Sequence, residues 1–182
     1  MKSDHVLQLR LSTLPLQGEK TRVRLLKESD LSTEYISWLN DNETVRLSNQ
    51  RFFKHNKASV RKFFRSFLGS PNAFLAIEDV RTLGLVGTIT VYTQPHHGTA
   101  DVGILLGQRG KGYGKEAWSM TIGWLLDLCR VRKVTAGTLS CNQAMIHLLE
   151  SAGMHREGIR IAQEIVEGEP YDIVYYAKFR SS

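Results

Sequence analysis

The stretch QRGKGYGKE (108–116) sets Gly110, Gly112 and Gly114 among Arg109, Lys111 and Lys115, directly after the apolar run VGILL (102–106). Glycine forfeits side-chain contacts and loosens the unfolded chain, so three in five positions need a reason. The apolar run fits a buried strand, and the residues after Gly114 read as a helix. A chain that passes from strand to helix through glycines leaves backbone N–H groups pointing one way. The positive end of the helix dipole and three full charges add to them, which makes an anion site, phosphate first. Spacing then sorts the known phosphate loops. A Walker loop needs Ser or Thr after Gly-Lys, and Gly114-Lys115 is followed by Glu116. A dinucleotide fingerprint needs G-x-G-x-x-G near the start of a βαβ unit, whereas these glycines run G-x-G-x-G deep in the chain. What remains is R-x-x-G-x-G, met by Arg109, Gly112 and Gly114, beside the plain alternative of a tight glycine turn.

Other reactive residues are sparse. His96 and His97 stand between Pro95 and Gly98 with no third ligand near them, so they read as a loop and no metal is expected. No Ser-His-Asp arrangement can be read from spacing, which leaves an acyl-enzyme route without support. His147 reads as a surface or boundary residue, and Trp38, Trp118 and Trp124 fall on helical faces as core.

The elements that must position the loop follow from periodicity. TRVRLL (21–26) alternates as a first strand, after a loosely organised segment 1–20. Ser29 or Asp30 is expected to cap a helix with Leu31, Tyr35, Trp38 and Leu39 on one face; LNDNETVRLSNQ (39–50) then reads as a long loop. A second helix places Val60, Phe63, Phe64, Phe67 and Leu68 together and stops at Gly69 and Pro71. AFLAIE (73–78) and GLVGTITVYT (84–93) form a hairpin, and GTADVGILL is the fourth strand. The helix after the glycines carries Ala117, Met120, Thr121, Trp124, Leu125 and Leu128 on one stripe. KVTAGTLS (133–140), a helix ending at Gly153, and a closing hairpin with a turn at 167–170 complete the order. The pattern predicts one α/β domain over 1–182, with a central twisted, mostly antiparallel sheet flanked by helices.

A chain of 182 residues with 42% apolar and 23% charged content suits one soluble domain with a sizeable core. No stretch approaches the roughly twenty apolar residues of a membrane span, and MKSDHVLQLR does not read as a signal peptide. Cys129 and Cys141 lack C-x-x-C spacing, so free thiols and a cytoplasmic location are expected. The net charge of +6 suits an anionic partner, but the basic residues are scattered, with RVRK (130–133) the densest run. Nucleic acid is therefore the weaker expectation.

The R-x-x-G-x-G loop resembles the pyrophosphate loop of the GCN5-related N-acetyltransferases, which use acetyl-CoA. VRLLKESDLSTEYISWLND, LVGTITVY and NQAMIHLLESAGMHREG resemble the branch of ribosomal-protein and bacterial aminosugar acetyltransferases, and the likeness spans 20–180. It implies that the fourth and fifth strands splay apart around the pantetheine arm. Ile104, Leu105 and Leu106 would supply the backbone edge for that arm. Arg109, Gly110, Lys111, Gly112, Tyr113, Gly114 and Lys115 would hold the pyrophosphate, and Asn142 would reach the pantetheine or sulfur end. The link from GILLG to RGKGYG is shorter than is usual in this branch. Leu149 stands where many members carry a tyrosine that protonates the departing thiolate.

The implied reaction is attack of a neutral primary amine on the thioester of acetyl-CoA, with Asp101 as candidate base and a fourth-strand N–H as oxyanion donor. An ordinary strand-end carboxylate is the alternative for Asp101, and a helix cap that for Asn142. The acceptor should lie between the 40–50 loop and the last hairpin, where Asp41, Glu43, Glu164, Glu167 and Glu169 could attract a cation. A small aminosugar-like amine is the favoured acceptor, with polypeptide N-termini and polyamines as alternatives. Leu149 keeps open a CoA-binding module without catalysis, and a homodimer is also left open.

Overall fold

The computed structural model describes residues 7–181. Its centre is one eight-stranded sheet in the order β1-β2-β3-β4-β5-β6-β8-β7. The strands are β1 (Leu16–Gln17), β2 (Thr21–Leu25), β3 (Ala73–Asp79), β4 (Leu85–Gln94), β5 (Thr99–Leu106), β6 (Lys133–Leu139), β7 (His155–Val166) and β8 (Glu169–Phe179). All neighbours are antiparallel except β5 and β6, which run parallel and pair only over Thr99–Asp101 with Lys133–Thr135. Beyond Asp101 the two strands part. The expected mixed, mostly antiparallel sheet and its splay are therefore both present, with β5 and β6 as the fourth and fifth strands foreseen.

Helices cover both faces, so every residue of β3 is buried. Its side chains alternate between two cores. Leu75 and Ile77 join Trp118, Ile122, Leu125 and Leu149 beneath α4 (Tyr113–Gly123) and α5 (Gln143–Ser151). Phe74 and Ala76 join Tyr35, Trp38, Val60 and Phe64 beneath α1 (Thr33–Asn40) and α3 (Lys57–Arg65). All three tryptophans are buried, as their helical positions suggest.

Four local expectations need correction. The cap of α1 is Ser32, whose hydroxyl accepts from Tyr35 N–H at 3.1 Å. Asp30 closes the preceding 3₁₀ turn (Glu28–Asp30) instead, accepting from Lys27 N–H at 2.7 Å and from the guanidinium of Arg24 at 2.7 Å. The 39–50 stretch is not all loop, because Asp41 caps a one-turn α2 (Asn42–Val45) by accepting from Thr44 N–H at 2.8 Å. A 3₁₀ turn follows over Asn49–Phe52. Leu128 leaves its predicted stripe and is 44% exposed, since α4 runs into a π turn (Trp124–Leu128) whose wider winding rotates it outward. In the segment read as loosely organised, Leu7, Leu9, Leu14 and Leu16 pack against the α4-side core and β1 joins the sheet. Residues 1–6 of that segment lie outside the described residues.

Candidate active site

Because β5 and β6 are parallel, both strands end on the same side of the sheet, and each leads into a helix N-terminus. The β5 end enters the glycine loop. Gly110 at φ +77° and Gly112 at φ +82° occupy the left-handed region, and Gly112 is the N-cap of α4 without a side-chain capping bond. The first N–H groups of α4 therefore remain available to an anion. Arg109, Lys111 and Lys115 are exposed beside them, with Lys111 Nζ donating to Gln108 Oε1 at 3.1 Å.

Two loop residues also have a packing job that their spacing did not announce. Tyr113 is 6% exposed and its phenol donates to Asp79 in the core, so only its backbone faces the loop. Gly114 lies inside the first turn of α4 with ordinary helical geometry. A Cβ there would come 2.7 Å from Leu106 Cδ1, so its smallness lets α4 sit close on β5.

Spacing alone did not reveal three residues that set this loop. A Cβ on Gly107 would fall 2.0 Å from the Trp38 ring, so the exit from β5 exists only because that position is bare. Glu116, in the first turn of α4, accepts from the backbone N–H groups of Glu19 (2.8 Å), Lys20 (3.0 Å) and Thr21 (2.6 Å) and from the Thr21 hydroxyl (2.6 Å). Burial opposes its charge, yet these donors hold its carboxyl below the usual range. The clamp also brings Lys20 to the loop, with its Nζ 3.4 Å from where a Gly112 Cβ would stand. An acid in the first turn of a helix is a readable signal, but its partners lie 95 residues and more away.

In the gap, Ile104, Leu105 and Leu106 bond to Ile89, Thr88 and Gly87 of β4 along one edge. Their other edge has no β6 partner, which leaves backbone groups that a linear amide could meet. Asp101 is the last β5 residue paired with β6, directly where the strands part. Its carboxylate accepts from Thr135 Oγ1 at 2.7 Å and lies across from Tyr92. Desolvation pushes its pKa up, and the Thr135 bond only partly offsets this. A raised carboxylate is the better base at neutral pH. Asn142 caps α5 at the β6 side, its Oδ1 accepting from Met145 N–H at 3.2 Å. Its amide Nδ2 has no partner among the described residues, so the cap leaves the donor end of this side chain free. Leu149 is fully buried in the core and offers no proton donor.

A cavity of about 480 Å³ opens between α1, α3 and the sheet, with Gly103–Leu105 of β5 as part of its wall. The rings of Tyr35, Phe53, Phe63 and Tyr92 and the hydroxyls of Ser48, Ser59, Thr88 and Thr90 line it, together with Lys54 and His55. Asn40 holds the His55 backbone from both sides, at 2.8 and 2.9 Å. The acidic residues expected around the acceptor are not in this wall. Glu164 is bound by Arg51 (3.4 Å) and Asn49 (3.3 Å), and Glu167 by Arg46 (3.5 Å). Asp41 is spent on the α2 cap, and Glu43 and Glu169 face solvent. These bonds clasp the 40–52 segment to the β7–β8 hairpin.

No group of three or more His, Cys, Asp or Glu that could hold a metal occurs among the described residues. No helix among them is long and apolar enough to cross a membrane.

Comparison with solved structures matches this architecture. An acetyltransferase of the GNAT family from Bacillus anthracis superposes with a TM-score of 0.79 at 20% identity, covering 92% of this chain and 99% of that one. Spermidine N-acetyltransferase from Vibrio cholerae, solved with CoA and spermine, gives 0.79 at 15% identity over 90% and 97% of the two chains. Ribosomal-protein-S5-alanine acetyltransferase from Vibrio fischeri gives 0.71 at 19% identity over 92% and 97%. At such identities the likeness speaks for the fold, and no curated protein matches in sequence. The sequence itself matches the model of the acetyltransferase (GNAT) domain over residues 20–155, which takes in β2 through the first residue of β7 with the glycine loop at its heart. With its sheet parted at Asp101 and an open helix N-terminus at the end of β5, the chain belongs to the GNAT acetyltransferases, enzymes that N-acetylate amines from acetyl-CoA.

Proposed function

We propose that this acetyltransferase acts on a small-molecule primary amine, with the acetyl donor in the β5–β6 gap and the acceptor in the 480 Å³ cavity beside β5. The observation that carries the reading is that β5 serves both spaces. Its free edge faces the gap, while Gly103–Leu105 reach the cavity wall. Acetyl-CoA supplies an acyl group activated as a thioester. Arg109, Gly110, Lys111, Gly112, Gly114 and Lys115, with the backbone N–H of Tyr113, hold its pyrophosphate. Ile104–Leu106 pair with the pantetheine amides, and Asn142 Nδ2 donates near the sulfur.

Asp101 takes a proton from the incoming ammonium, directly or through one water, and frees the lone pair that forms the C–N bond. A β5 N–H on the gap side holds the negative charge that gathers on the carbonyl oxygen. The C–S bond then breaks, the nitrogen releases its second surplus proton to water, and the thiolate leaves to solvent, since Leu149 has no proton to give. A protein N-terminus is the poorer acceptor, because a peptide needs an extended groove and this cavity is bounded by α1, α3 and the 48–55 segment. The free thiols Cys129 and Cys141 suit a cytoplasmic site of action. The test is thiol release from acetyl-CoA with a panel of small amines and a panel of N-terminal peptides. Turnover confined to peptides, or to neither, would overturn the reading.

A further inference from the structure

We infer that the acceptor is a monoamine with an aromatic or apolar body and an anionic group at its far end, and not a polycation. The inference rests on the proposed acceptor cavity and names its substrate class. Among the described residues no aspartate or glutamate lines that cavity, and Lys54 is its one full-time charge. The nearby carboxylates Glu164 and Glu167 are neutralised by Arg51 and Arg46. Asp101 alternates with Gly103 on β5 and so stands on the cavity side of that strand, at the reacting end. One ammonium can therefore meet one carboxylate. A second ammonium would be stripped of water against rings and hydroxyls with no anion to receive it.

The walls state what fits instead. Phe53, Phe63 and Tyr92 are 65%, 39% and 42% exposed, an unusual outlay of aromatic surface for residues facing a cavity unless a ring or apolar body covers them. Lys54, on the 48–55 segment of the wall and not on β5, then meets an anionic substituent of the body that carries the amine. The expectation of acidic residues drawing in a cationic amine gives way to the reverse arrangement in this cavity, since Glu164 and Glu167 are paired with arginines and Asp41, Glu43 and Glu169 stand outside its wall.

Three probes separate the cases: 4-(2-aminoethyl)benzoate, 2-phenylethylamine and spermidine. Each is titrated calorimetrically into the full chain saturated with CoA, and thiol release from acetyl-CoA is followed in parallel. The benzoate should bind tightest. Its advantage over phenylethylamine should be about two- to fivefold, the range of a solvent-reached ion pair, and spermidine should be weaker by roughly tenfold or more. Lys54→Glu, an exposed position checked by its melting curve, should reverse the first preference. Spermidine binding tightest, no probe binding, or an unchanged benzoate preference in Lys54→Glu would overturn the inference. The expected binding order without thiol release would uphold the acceptor class and overturn the catalytic reading. Efficient turnover of spermidine would do the opposite.

Discussion

Glu116→Gln and Glu116→Ala test how the glycine loop is held. In the protein one carboxylate receives three backbone N–H groups and a hydroxyl from the β1–β2 turn. Glu19 and Lys20 are exposed, so their N–H groups find water once the carboxylate is gone. Thr21 is fully buried, and both of its donors lose their acceptor in the alanine variant. A stranded buried donor costs about 1–3 kcal/mol, so the two at Thr21 should cost Glu116→Ala roughly 2–6 kcal/mol in all. At about 2–4 °C per kcal/mol for a chain of this size, Tm should drop by roughly 4–24 °C. The glutamine keeps an acceptor but loses the charge and should fall about halfway. The pH dependence has a definite sign. The folded carboxyl is held below its unfolded value, so its contribution is complete above the unfolded value and vanishes as pH falls through the folded one. Thermal melts of the three proteins from neutral to strongly acidic pH check this, and the gap between them should close toward acid. Equal melting at neutral pH, or a gap that widens in acid, would refute the clamp.

Gly112→Ala forces φ +82° on a residue with a Cβ, at a cost of about 1–2 kcal/mol, and should weaken CoA binding in calorimetry by more than its stability loss explains. Asp101→Asn should cut kcat about 10²–10⁴-fold with CoA affinity nearly intact. In the parent the acid limb of the rate profile should lie above the ordinary carboxylate range, since desolvation raises Asp101, and in the variant that limb should vanish. Asn142→Asp keeps the oxygen that caps α5 and removes the free N–H₂, so melting should hold while turnover or acetyl-CoA affinity drops. Asn142→Ala should additionally lose about 1 kcal/mol of stability.

The parts of this molecule that were legible before its coordinates are those written in local pattern. The alternation in β3, the helical stripe of α4 and the left-handed glycine ahead of it are each specified by residues within a few positions of one another. The glycine loop was readable because the strand, the turn and the helix N-terminus are consecutive. Its supports were not. Glu116 meets a turn 95 residues upstream, Gly107 is set by Trp38, and Lys20 arrives only because Glu116 brings it. The ion pairs of Glu164 and Glu167 were hidden for the same reason. Their charge is visible in the chain, but Arg51 and Arg46, which pair with them, come from another part of the fold. The π turn that exposes Leu128 has no local mark comparable to a proline or a glycine.

The parting of β5 from β6 gives this sheet four edges where an open sheet has two. β1 and β7 are the outer ones, and the stretches beyond Asp101 and Thr135 form an inner pair. An unpaired strand edge ordinarily invites another polypeptide, with aggregation as the result. Here the invitation is restricted by shape. The inner edges diverge from a closed vertex, where three residue pairs hold the halves of the sheet together, so a flat incoming strand cannot lie against β5 without meeting β6. A slender chain with amides and no side chains suits such a wedge better than a strand does. Under the proposed function, the break in pairing that would be a hazard at an outer edge becomes the berth of a bare amide arm.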